Sequence, residues 1–324
     1  MSTQLNSRPT ESPVPSFMNV PAWMMERFPP DHWVMFFVMY ATAVVTGRFL
    51  SGSGAMTLGW MDLLGFAAAF SFFLMLRVFD EHKDYELDLH NHPERVLQSG
   101  RVTLGHLKAL GVLAIATQAG VSVFLDEGVG SVTTLWVLVI VWSSLMAKEF
   151  FIGAWLEKRL VLYALSHMVV MPMALVWMAQ MGAGSAELPA TIGLLAGLSF
   201  LSGAAFEVTR KAKGAEEERE TIESYSRILG VRGAAVTVLL LLTGSTAVLA
   251  LLIRGAFDGT AGWLWYLGLV AILVPPFFSL LRYMGTATAK TRKANEAAVG
   301  LAMLASYGIL IAAYLVSSSS VTWG

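Results

Sequence analysis

The chain has no cysteine. That excludes a disulfide framework, a thiolate metal site and a thiol nucleophile. Charge is scarce: Asp, Glu, Lys and Arg make up 14% of 324 residues, against about 25% in a soluble domain. The formal net charge is -1, so there is no basic excess to draw nucleic acid. The first 30 residues lack a long apolar run, and no cleaved secretory signal is expected there. Their Pro, Ser and Thr content predicts a flexible tail that ends in an interfacial stretch around Trp23. What remains is apolar. Hydrophobic residues are 56% of the chain and mean hydropathy is +0.62, which describes an integral membrane protein.

A bilayer core takes about 20 apolar residues per helix. Nine spans are expected, near 33–50, 57–77, 106–125, 131–147, 160–181, 189–206, 233–253, 262–281 and 298–317. The predicted organisation is a tail, 1–30, followed by one all-α transmembrane domain, 31–324. Pro172 should bend the fifth span and Pro275-Pro276 should kink the eighth. Of the 22 Lys and Arg residues, 18 fall in, or at the span edges of, the loops after spans 2, 4, 6 and 8. The positive-inside rule then puts those loops and the N-terminus in the cytoplasm and the C-terminus outside, in an inner or cytoplasmic membrane.

Two of these loops mix acids with bases. In Arg77-Val-Phe-Asp-Glu-His-Lys-Asp-Tyr-Glu-Leu-Asp88, the residues Asp80, Asp84 and Asp88 are four apart. On a helix that spacing puts three carboxylates on one face. They repel unless a cation sits among them, and hard oxygen donors suit Mg2+. A solvated acidic helix end is the plainer reading of the same spacing. The loop after span 6 carries Glu207, Arg210, Lys211 and the run Glu216-Glu217-Glu218. Carboxylates that hold a metal, beside Lys and Arg that neutralise phosphate, form a set suited to a Mg2+-bridged diphosphate. Surface ion pairs lacing two hairpins would use the same residues. Within the fifth span, His167 is an intramembrane ionisable residue and so a functional candidate, as proton acceptor or as interhelical contact. Aromatics in the spans, among them Phe36, Tyr40, Phe72, Phe73, Trp142, Tyr163 and Trp177, could face a cation or simply pack.

The stretch Asp80-Glu-His-Lys-Asp-Tyr-Glu-Leu-Asp88 resembles the NDxxDxxxD motif of the UbiA superfamily of intramembrane prenyltransferases. Its continuation, His92-Pro-Glu-Arg-Val-Leu-Gln-Ser-Gly-Arg101, is similar to that family's KPERPLPSGR stretch. The resemblance runs from about 33 to 317. It implies a helical bundle around a central cavity open to lipid, capped by cytoplasmic loops 2-3 and 6-7. It also implies Mg2+ and an isoprenoid diphosphate under the cap, ionisation to an allylic cation, and capture by a lipophilic, often aromatic, acceptor.

Carried over by position, Asp80 stands where the family has Asn, and Asp84 and Asp88 match the later acids, giving three metal ligands. Arg95 and Arg101 match basic positions near the diphosphate, and Lys148 matches the Lys that ends span 4. Arg77, Arg210 and Lys211 complete the diphosphate set. Asp84, Lys148 and His167 are the expected catalytic residues. The second motif departs from the family, because it contains no Asp. Glu207, Glu217 and Glu218 are the acids placed to substitute as metal ligands, and Lys211 and Gly214 stand where acids are usual.

The leading expectation is a Mg2+-dependent prenyltransferase acting on an isoprenoid diphosphate and a lipophilic acceptor, in contact with membrane lipid and with no nucleic acid. A terpene cyclase on the same scaffold is the alternative, and the altered second motif favours it. A permease is disfavoured, since the acids cluster at span ends rather than at mid-bilayer. An inactive relative of the family remains the third reading.

Overall fold

The structure is a computed structural model that describes residues 14–52, 55–219 and 223–324. The expected tail before residue 14 and Glu220 of the second loop lie outside the described residues. Helix α1 (Val20–Arg27) follows a single 3-10 turn. Helix α2 (Pro30–Leu50) then crosses the molecule to a short strand, β1 (Ala55–Leu58). Helix α3 (Trp60–Lys83) returns and is followed by the short α4 (Tyr85–Asn91). An antiparallel run completes the bundle: α5 (Leu104–Leu125), α6 (Ser131–Ala147), α7 (Gly153–Leu156), α8 (Leu160–Met168), α9 (Val170–Ala183), α10 (Ile192–Lys211), α11 (Tyr225–Ala256), α12 (Trp263–Gly285) and α13 (Ala289–Ser317). Strand β2 (Ser320–Trp323) pairs in parallel with β1 at the end of the bundle away from Asp80.

Among the described residues, eight helices are long and apolar enough to cross a membrane, with α8 and α9 counting as one. The ninth expected span, α6, has 17 residues, the short limit for a crossing helix. The break between α8 and α9 falls where Pro172 requires it. The proline lacks an N–H for the Met168 carbonyl, and its ring crowds that carbonyl. Helix α12, in contrast, continues through Pro275 and Pro276.

Helices α2, α3, α5, α6 and α9 pack in one circuit, and α9, α10, α11, α12, α13 and α2 in a second. Helices α2 and α9 belong to both, and they approach closely because two glycines remove Cβ atoms. A Cβ on Gly47 would lie 1.9 Å from the Ala179 carbonyl oxygen, and one on Gly182 would lie 2.2 Å from that of Val44. Small residues at a crossing let backbones meet where lipid offers no hydrophobic drive. Tyr40, Phe72, Phe73 and Trp177 are buried packing residues: Phe73 stacks on Phe36 at 4.0 Å and Phe72 meets Trp177 edge-on at 6.0 Å. At the far end Arg48 grips Asp62 through both nitrogens, at 2.5 and 3.1 Å. This pairing satisfies two charges that would be costly to bury alone.

The expected interfacial stretch around Trp23 falls on helix α1. Trp23 of α1 is fully buried, which contributes roughly 1.5–3 kcal/mol. Ser16 N–H and Asn19 Nδ2 both donate to the Arg101 carbonyl, each at 3.0 Å. Glu26 accepts the Val96 N–H at 2.8 Å. Helix α1 is thus a strap across the loop between α4 and α5.

Candidate functional site

The two charged loops meet at one end of the bundle. The long apolar run of α3 ends in Arg77, Asp80, Glu81 and Lys83, and Asp84 is the residue at which the chain turns into α4. The acids of this stretch separate into two kinds. Glu81 is buried and bound by Arg77 and by Arg27 of α1, the latter at 2.6 Å. Asp88 is held by Arg27 at 3.0 Å and by Arg95 at 2.7 Å. Asp80 and Asp84, in contrast, make no hydrogen bond or ion pair with a described side chain. Partial burial pushes the Asp84 carboxyl above its ordinary range against the pull of Lys83, and Asp88 adds to the rise. An unpaired, half-buried carboxylate with a raised pKa is stabilised by any cation that arrives.

Beside Asp84 opens a cleft of about 620 Å³. Lys83 and Asp84 line it from the α3–α4 corner, Tyr163 from α8, Arg210 and Lys211 from the end of α10, and Lys213 from the following loop. Glu157 and Glu223 line it as well, and Leu87 and Leu160 supply apolar wall. The cleft therefore presents four cations and three carboxylates, Asp84, Glu157 and Glu223, drawn from distant parts of the chain.

Glu207, one turn before Lys211 on α10, is bound by Lys211 and Arg210, each at 2.8 Å. The glutamate run beyond it faces elsewhere. Glu216 accepts the Ala289 N–H at the start of α13, at 2.6 Å. Glu217 accepts the Gly214 N–H at 3.0 Å and pairs with Arg292 at 2.8 Å. Burial pushes its carboxyl up, but the Gly214 N–H and Arg292 outweigh that and hold it below the usual range. Glu218 takes the hydroxyls of Ser224 and Ser226, at 2.8 and 2.5 Å. A Cβ at Gly214 would lie 2.3 Å from the Thr288 carbonyl carbon, so the loop presses on α13 too closely for any other residue. These glutamates fasten the loop to α11 and α13.

The structure thus brings Asp84, Arg210 and Lys211 into one cleft, with Asp80 free close by. Arg77, Arg95 and Asp88 are engaged in the ion pairs beneath it. Arg101 is exposed, with its Nε near Ser99. Lys148 ends α6 as an exposed side chain and does not line the cleft. His167 sits one turn deeper than Tyr163 on α8, its ring stacked on the tyrosine at 4.0 Å.

Sequence reasoning missed Glu149. After α6 the chain takes three consecutive left-handed residues, Glu149, Phe150 and Phe151, with φ of 48°, 53° and 59°. Non-glycine residues pay roughly 1–3 kcal/mol each for such backbone. The turn points Glu149 back into the bundle, where it pairs with Lys83 and accepts the Tyr163 hydroxyl at 3.0 Å. Lys83 in turn donates to Tyr163 Oη at 2.5 Å. The available signal was an acid at a span end, directly after a lysine and before two phenylalanines.

Among the described residues no three His, Asp or Glu side chains converge as a ready metal site. Mg2+ does not need three: it is commonly bound by one or two carboxylates completed by substrate phosphates and water. Asp80 and Asp84, as free oxygen donors beside a cationic cleft, fit that mode.

No protein-family model matches the sequence, and no curated protein matches it. The fold does have known counterparts. The solved structure of digeranylgeranylglyceryl phosphate synthase aligns with a TM-score of 0.62 over 92% of this chain and 98% of that one, at 14% identity. The apo structure of a UbiA homologue from Aeropyrum pernix K1 aligns with a TM-score of 0.58 over 86% of this chain and 97% of that one, at 16% identity. At such identities the likeness is one of fold, and it agrees with the resemblance carried by the Asp80–Arg101 stretch.

Proposed function

We propose that this UbiA-fold chain is an intramembrane prenyltransferase. It would take an isoprenoid diphosphate into the cleft and transfer the prenyl group to a lipophilic acceptor. The observation that carries this reading is the cleft itself. It sets Lys83 and Asp84 of the first charged loop against Arg210, Lys211 and Lys213 of the second. Four cations that line one space with Asp84 can take the oxygens of a diphosphate, with a cation bridging it to the carboxylate. The fold of the two neighbours, one of them a digeranylgeranylglyceryl phosphate synthase, supports a prenyl substrate.

In this reading Lys83, Arg210, Lys211 and Lys213 take up the charge that grows on the leaving diphosphate. Asp80 and Asp84 would hold Mg2+, which supplies further neutralisation of that charge. Tyr163 lines the cleft, and its ring face would favour the positive charge of a prenyl cation. The prenyl chain would extend down the bundle toward lipid. The bias of basic residues puts the cleft on the cytoplasmic side.

Cyclisation is the second reading. One observation favours it: Glu216, Glu217 and Glu218 are committed to holding the loop, so the second half of the cap offers fewer metal ligands than the family pattern implies. The experiment that separates the readings supplies C10, C15 and C20 isoprenoid diphosphates to the purified protein, with and without Mg2+ and a membrane-lipid extract. A prenylated adduct formed only with the extract is the expected result. A cyclic hydrocarbon formed without it would establish the cyclase. No diphosphate release under any condition would overturn both.

A further inference from the structure

Glu149 and His167 meet beneath the cleft with two acceptor atoms face to face. His167 Nδ1 lies 2.8 Å from the Tyr163 carbonyl oxygen. Ser166 Oγ donates to that same carbonyl at 2.9 Å and lies 3.2 Å from Nδ1. A carbonyl can only accept, so Nδ1 carries the ring proton and Nε2 is left with a bare lone pair. Nε2 faces Glu149 Oε2 at 3.2 Å, and both atoms are buried with no hydrogen bond of their own. One proton placed between them would convert a repulsive contact into a charge-assisted hydrogen bond.

The rest of the surroundings holds this pair in place. The other oxygen of Glu149 is taken by Lys83 and by the Tyr163 hydroxyl. The His167 ring is clamped between Tyr163 and the edge of Phe150. The strained left-handed turn fixes Glu149 from the α6 side. Two cations face the pair, Lys83 from α3 and Lys211 from α10, the latter 5.6 Å from the Tyr163 ring. The neighbouring acid, Glu207, is bound to Lys211. Tyr163 lines the cleft beside Lys83 and Lys211, and its hydroxyl links the cleft to Glu149.

We propose that the Glu149–His167 pair is the proton acceptor for the chemistry of the cleft, reached through the Tyr163 hydroxyl; this rests on the prenyl-transfer reading. The diphosphate leaves with the electron pair of the C–O bond. The prenyl cation then bonds to an acceptor, or to its own double bond. A C–H or O–H bond breaks, and its electrons stay in the product. The released proton goes to Tyr163 Oη while the proton of Tyr163 passes to Glu149, and the net proton is held by the pair. No oxidant or reductant is needed. Water capture of the cation to a prenyl alcohol needs no such acceptor, because its proton can leave with solvent.

Two measurements on the full chain in lipid nanodiscs test this. The first is nitrogen NMR of histidine-labelled protein, with His167→Gln to assign the signal. The Nδ1-protonated neutral ring at neutral pH, taking up one proton on acidification, is expected. A ring protonated at Nε2 at neutral pH would overturn the proposal whatever the activity. The second supplies farnesyl diphosphate, Mg2+ and membrane-lipid extract, and compares diphosphate release with products. For Glu149→Gln and His167→Gln, release should stay within about threefold of wild type. Adduct or olefin should fall about 100-fold, the scale of general-base catalysis, and farnesol should rise. Tyr163→Phe, which removes only the relaying hydroxyl, should raise the ratio of farnesol to adduct or olefin about 100-fold should the other two fail to fold. Equal loss of release and product, or an unchanged product ratio, would reduce the pair to a structural clamp and overturn the proposal. If wild type releases no diphosphate, the prenyl-transfer reading falls, and the tautomer of His167 still decides whether the pair can accept a proton.

Discussion

The two acidic stretches of this chain are alike in composition and opposite in use. In the first, the strap helix and Arg95 bind Asp88 and Glu81, and the acids nearer the cleft, Asp80 and Asp84, are unpaired among the described residues. In the second, Glu207 is paired with Arg210 and Lys211, and Glu216–Glu218 are bound to backbone N–H groups, serine hydroxyls and Arg292. An acid that is already satisfied stabilises the fold. An acid left unsatisfied destabilises it and is available to a ligand. Local spacing does not tell these apart; the partners supplied by distant segments do.

The sharpest test of that contrast is Asp84→Asn. The Asp84 carboxyl has a raised pKa when folded. Its contribution to stability is therefore present only when it is protonated, below its unfolded value, and is lost as pH rises through the folded one. At pH 7 the charge is a liability. Asp84→Asn should reduce Mg2+-dependent diphosphate release by about 100-fold or more, while Tm at pH 7 stays level or rises. A fall in Tm with activity intact would place Asp84 among the structural acids.

Glu218→Gln should do the reverse. Losing the charged acceptor of two serine hydroxyls should cost about 1–3 kcal/mol, read as a lower Tm. The Mg2+ concentration for half-maximal activity should not move, and a shift in it would return Glu218 to the metal site.

Glu217 gives a smaller effect that is confined to acid pH. Its folded pKa is lowered, so its contribution is present above the unfolded value, about 4.5, and fades as pH falls through the folded one. Glu217→Gln should flatten the loss of Tm below about pH 4.5, and an unchanged acid limb would mean that other carboxylates carry it. The smallest effect belongs to Lys148→Ala. Exposed and outside the cleft, it should change the KM for diphosphate by less than about twofold. A tenfold rise would show that the loop after α6 folds over the substrate.

Much of this was open to reading in the sequence. The apolar runs gave the helices because hydrophobic length alone specifies a crossing segment. Pro172 located the break between α8 and α9 because a missing N–H acts locally. Charge in an apolar chain marked Asp84, Arg210 and Lys211, which the structure brings to one cleft. The ion pairs of Asp88 and Glu217 were not legible, since each has a partner far away in sequence, Arg27 for the first and Arg292 for the second, and Glu218 is taken by serines at the start of the next helix. Glu149 escaped for a related reason. Its side chain is aimed by a left-handed turn that no glycine or asparagine announces. The strap helix α1 was obscured by the polar residues before it, although Trp23, Glu26 and Arg27 are the side chains that dock it.

The pairing of β1 with β2 bears on how the molecule is assembled. Thr57 and its partner Thr322 are 265 residues apart, so every helix from α3 to α13 is synthesised before β1 finds its neighbour. Until then β1 is an open edge beside the bilayer, the kind of edge that invites pairing with another chain. The far end of the bundle is therefore the last part of the molecule to acquire its native hydrogen bonds, and during biogenesis it is where a chaperone would have most to protect.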